Sequence, residues 1–114
     1  MCEAAYEKKA EDILIMDMKQ RALFCDNFVI MSAPSAVRVK TIVEFIESSM
    51  ESAGWRAKHK EGLAEAFWVL LDYEDVVVHV FYHETRKYYG LEHLWGDAPR
   101  RLYLSHPNKD KAPK

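Results

Sequence analysis

Trp68-Val69-Leu70-Leu71-Asp72-Tyr73-Glu74-Asp75-Val76-Val77-Val78-His79-Val80-Phe81 holds two apolar, β-rich runs joined by a short polar link. That pattern reads as a hairpin. Val76-Val77-Val78 is apolar at consecutive positions, so both faces of its strand need cover, which makes it a central strand with helices packed on the sheet. Upstream, Ile13-Leu14-Ile15-Met16 is flanked by Asp12 and Asp17, and Phe28-Val29-Ile30-Met31 is β-branched and aromatic. Both runs are too short for helices and fit buried strands. The polar stretch between them, Lys19 to Asn27, reads as a connection with some helical character.

The helices follow from different signals. Ser32-Ala33-Pro34-Ser35 offers a serine cap and a proline at a helix entry. Beyond it Val39, Ile42, Val43, Ile46 and Met50 recur at helical spacing, and Gly54 supplies a left-handed terminator. Met1 to Ala10 reads as a short helix. Trp55 to Glu65 is polar, with Gly62 as a turn or strand break. His83 to Trp95 is helical in part, interrupted at Gly90. The order helix, strand, strand, helix, strand, strand, helix predicts an α/β fold (α+β-like). Its mixed sheet has about four to five strands with helices against it. Residues 1–100 form one domain, and 101–114 a basic, flexible tail.

Composition narrows the function. The chain has 114 residues, 49% of them hydrophobic and 30% charged, with a formal charge of -2. That balance suits one globular domain and argues against gripping nucleic acid mainly by its phosphates. Cys2 and Cys25 make no spaced framework and read as free thiols in a reducing cytoplasm. No apolar stretch is long enough to span a membrane, and no secretion signal opens the chain.

No arrangement of residues in the sequence announces catalytic or metal chemistry. His79 and His83 are four apart, but the first belongs to a strand, and His83-Glu84-Thr85-Arg86-Lys87 lacks the second histidine of a zinc helix. Asp72-Tyr73-Glu74-Asp75 reads as turn chemistry, since no phosphate loop or basic clamp accompanies it. There is no nucleophile elbow, and Cys25 has no histidine partner in local sequence. No enzyme, metal or cofactor is indicated. Trp68, Tyr73, Phe81, Tyr82, Tyr88, Tyr89 and Trp95 instead crowd a short stretch interleaved with charges. Tyr73 in its turn and Trp95 before Gly96 are hard to bury completely. Composition alone leaves a partner-binding face and plain packing equally open.

The block Trp68 to Phe81, followed by Glu84, Arg86, Tyr89, Leu91, Glu92, Leu94 and Trp95, resembles the ribosomal silencing factor family (RsfS, also called Iojap). Lys9-Ala10-Glu11-Asp12-Ile13, Asp26-Asn27-Phe28-Val29-Ile30, and Ser35 with Arg38-Val39 extend the resemblance over about residues 5 to 98. The resemblance implies a nucleotidyltransferase-like topology without the catalytic carboxylates. It also implies binding to the large ribosomal subunit through its ribosomal protein fourteen, where bulk blocks the small subunit and represses translation. Large-subunit assembly on the same surface is the alternative that organellar relatives suggest, and a nucleotide-binding enzyme is a remoter one. A cytoplasmic homodimer is expected, with minor ribosomal RNA contact through the tail. The implied partner-binding residues are Trp68, Tyr73, Asp75, His79, Tyr89, Leu94 and Trp95, with Trp68 and His79 the two that core packing competes for most. The family commonly has glycine where Glu74 stands, so a positive φ there implies strain. Its Ser-Gly-Thr-Ser at the helix entry here reads Ser32-Ala33-Pro34-Ser35.

Overall fold

The computed structural model describes residues 1–20 and 25–103. In chain order it contains α1 (Cys2–Glu7), β1 (Glu11–Asp17), β2 (Asn27–Ala33), α2 (Ala36–Ser52), β3 (His59–Glu61), β4 (Trp68–Asp72), β5 (Val76–Tyr82), α3 (His83–Tyr89), α4 (Leu91–Leu94) and β6 (Arg100–Leu102). Six strands form one mixed sheet in the order β3-β4-β5-β2-β1-β6. β2 and β5 run parallel, with Phe28 opposite Val77 and Ile30 opposite His79, and the other pairings are antiparallel. The sheet therefore exceeds the expected four to five strands. The two extra strands are three-residue edge pieces with every residue exposed, so they lack the hydrophobic pattern that announces a strand. β6 also carries the paired sheet across the boundary placed at residue 100. The tail from 104 onward, and residues 21–24 of the Lys19 to Asn27 connection, lie outside the described residues.

α2 forms where the sequence places it. Ser35 Oγ accepts from the Arg38 N–H at 3.1 Å, satisfying one of the free donors of the first turn. At the far end Gly54 adopts φ +95°. Its N–H bonds to Glu51 C=O at 3.0 Å, and the Trp55 N–H to Met50 C=O at 2.8 Å. That pair of hydrogen bonds is the Schellman closure. The inner face of α2, Val39, Ile42, Val43 and Ile46, is fully buried against one side of the sheet, where Val29, Met31, Val69, Leu71, Val78 and Val80 point. Alternation sends Met16, Phe28, Ile30, Val77 and Phe81 to the opposite side, where Leu91 and Trp95 help cover them.

His79 belongs to this second side and is 4% exposed. The Trp68 Nε1–H donates to His79 Nδ1 at 3.1 Å, so the neutral ring carries its proton on Nε2. Phe28 meets the imidazole edge-on at 4.7 Å between ring centres. Burial in this apolar setting pushes its pKa down to about 4.

Two predictions come from these packing details. Glu74 holds φ +79° in the β4–β5 turn, a left-handed conformation that penalises a side chain. Its ion pair with Lys58, at 3.5 Å, is exposed on both sides and contributes little. Glu74→Gly should therefore stabilise the fold by about 0.5–1 kcal/mol, and a lower melting temperature than wild type would refute the strain. The depressed His79 pKa means that the unfolded chain takes up a proton before the folded one does. The stability it contributes is complete above the unfolded value near 6.5 and is lost as pH falls towards about 4. Urea unfolding should show the wild type losing about 2 kcal/mol more than His79→Gln between about pH 7 and pH 5. Parallel pH profiles for the two proteins would refute the assignment.

Candidate functional site

α3 begins where β5 ends, with Tyr82 as its N-cap. The Tyr82 N–H donates to Phe67 C=O at 2.9 Å, and the two rings lie 5.8 Å apart. One and two turns along α3, Glu84, Thr85, Tyr88 and Tyr89 complete an open groove of about 380 Å³ over these rings. Phe67 is 47% exposed, Tyr89 53% and Tyr88 83%. Tyr88 and Tyr89 are neighbours in sequence, so one helix cannot turn both into a core. Their rings meet edge-on at 5.2 Å, and Tyr89 packs on the Trp68 indole at 5.0 Å. Trp68 in turn lies on buried Phe81 at 4.8 Å. The result is an exposed aromatic face resting on the core through one half-buried tryptophan.

The residues singled out from sequence separate into different environments. Tyr89 and Leu94 are exposed. Trp68 and Trp95 are half-buried, Trp95 with its ring edge-on to Phe28 at 6.5 Å, and His79 is in the core. Asp75 is exposed at the other end of β5 from Tyr82, where its carbonyl accepts from the Asp26 and Asn27 N–H groups. Tyr73 corrects the expectation of a surface ring, because it is 7% exposed. Its N–H still bonds to Val76 C=O at 2.9 Å, so it keeps the alternation of Val69 and Leu71 and points toward α2. Burial, then Glu47 and Glu51, raise its hydroxyl pKa. Tyr82 and Tyr88, members of the aromatic-rich stretch but not of the implied partner-binding set, join the face, and so does Phe67, which the sequence does not single out. Phe67 precedes the hairpin, and Tyr88 shows its exposure only once α3 is placed against the sheet.

Among the described residues, no group of three or more His, Cys, Asp or Glu side chains converges to hold a metal ion. No described helix is long and apolar enough to cross a membrane. Burial raises the thiol pKa of Cys2. It pushes Cys25 up to about 11, with Asp26 and Asp72 adding to the effect, so both are weak nucleophiles at neutral pH.

Comparison with known proteins agrees with this architecture. The family model described as ribosomal silencing factor during starvation matches residues 1–114. Ribosomal silencing factor RsfS of Bacillus subtilis is 47% identical over 96 residues, covering 84% of this chain and 81% of that protein. The chloroplastic protein Iojap of Zea mays is 32% identical over 101 residues, 86% of this chain and 42% of that longer protein. A crystal structure of a protein from Bacillus halodurans superposes with a TM-score of 0.78 at 38% identity, covering 90% of this chain and 92% of that one. Another, from Chromobacterium violaceum, gives 0.81 at 29% identity, covering 91% and 87%. With a family model spanning every residue and a relative this similar over most of its own length, the chain belongs to the ribosomal silencing factor (RsfS) family.

Proposed function

We propose that this protein docks on the large ribosomal subunit through ribosomal protein fourteen and, by its bulk, keeps the small subunit from joining, so repressing translation. The observation that carries this reading is the aromatic face where Phe67, Tyr88 and Tyr89 lie exposed around half-buried Tyr82. Tyrosines dominate it, and tyrosine is among the residue types that anchor protein interfaces. Isolated exposed apolar side chains need no explanation, but a contiguous group of this kind marks an interaction site. Glu84 and Lys87 flank the rings as exposed charges, which suits a polar rim around an aromatic centre. The family's name speaks for the ribosome as the setting. Bulk is a mechanism that a small folded domain can supply.

The test is sedimentation with purified subunits, followed by light scattering of subunit association. Wild type should travel with large subunits and suppress association. Tyr88→Ala combined with Tyr89→Ala should weaken that binding by about tenfold or more, with the thermal melt nearly unchanged. Tyr73→Ala should act differently, lowering stability by about 3 kcal/mol through its buried ring. Failure of the wild type to sediment with large subunits would overturn the proposal.

A further inference from the structure

Leu94 is 70% exposed on a helix that should not hold its own shape. α4 has four residues, none of them buried, and a single turn is far below the length at which a helix persists alone. It leaves α3 through Gly90, whose left-handed backbone (φ 54°, ψ 43°) redirects the chain. Tyr89, just before the bend, is secured on Trp68. The exit of α4 is held by Arg100, whose Nη2 donates to Trp95 C=O at 2.7 Å. The bend itself is spanned by one side chain. Arg86 Nε donates to Glu92 Oε2 at 3.2 Å, and Arg86 Nη1 donates to Asp12 C=O at 2.8 Å and to Ser32 Oγ at 3.2 Å. The two side chains are only 11% and 18% exposed, so water screens the pair weakly.

Asp12 is shaped for this contact. It adopts φ +50°, and the β1–β2 register shifts between Glu11 and Leu14. Such a bulge takes a carbonyl out of the ladder and re-aims it. Here the carbonyl receives the guanidinium.

We propose that Arg86 is a positioning residue of the docking face: its guanidinium fixes the angle at which α4 leaves α3 and so sets where exposed Leu94 stands relative to Tyr88 and Tyr89. This rests on the docking reading above. The planar fork serves α4, β1 and β2 at once, which a lysine ammonium on a flexible stem cannot reproduce.

Arg86→Lys keeps the charge and removes the fork, and Glu92→Gln keeps the shape and removes the ion pair. Both are to be measured by large-subunit sedimentation and by native-state hydrogen exchange. In each variant, amides of residues 90–95 should exchange about tenfold faster while those of β2 and β5 hold their wild-type rates. Large-subunit affinity should fall by about tenfold in Arg86→Lys and less in Glu92→Gln. Exchange that is unchanged at the bend, or that rises uniformly along the chain, would overturn the positioning role. So would local loosening with full affinity. Should wild type itself fail to bind large subunits, the docking reading falls, and the exchange pattern still decides whether Arg86 holds the bend.

Discussion

The parallel joint between β2 and β5 commits both strands to burial on two sides. β5 carries Val78 and Val80 to the α2 side and Val77, His79 and Phe81 to the other. A sheet centre of this kind is stable only with both faces covered. α2 answers for the first face with four fully buried aliphatic side chains. Among the described residues no long helix covers the second face, and it is closed by the short segments that follow β5 together with Met18 and Cys25 of the β1–β2 connection. α3 has to start at once from Tyr82 and fold back over Phe81, and α4 and Trp95 have to finish the cover over Phe28. The aromatic face exists because those segments are short. They supply enough inward surface to close the core and leave their other ring-bearing positions in water.

Much of this was legible in the sequence, and the misses share a cause. Long apolar runs and the capped helix between Ser35 and Gly54 declare themselves locally, since burial on two faces or on one helical stripe leaves a pattern in neighbouring residues. β3 and β6 leave none. His59-Lys60-Glu61 and Arg100-Arg101-Leu102 become strands because β4 and β1 offer them free edges, a fact about distant chain segments. Tyr73 was read as a turn residue because acidic neighbours surround it. The hairpin closes one residue later than composition suggests, and the strand's alternation still governs its ring. In the candidate site, Tyr89 and Leu94 follow from the family resemblance, and both are exposed. Phe67 does not follow from it, since only the pairing of β4 with β5 brings it to Tyr82.

Trp68 joins the two jobs of this region. One side of its indole rests on Phe81, the other on Tyr89, and its N–H is satisfied by His79. A polar pair whose imidazole is buried in an otherwise apolar layer is an expensive way to fill space, because desolvating the imidazole costs more than an aliphatic side chain would. The directional bond gives something that an aliphatic contact lacks, which is a fixed ring orientation at the base of the exposed face. The exposed rings therefore inherit their order from the core. Binding freezes rotamers, and each side chain ordered in advance removes part of that entropic cost from association. The same logic governs the bend, where a charged fork and a bulged carbonyl hold a helix too short to hold itself. In this fold the exposed aromatic face is anchored through Trp68 to the weakly covered side of the sheet, so packing that secures that side also orders the exposed rings.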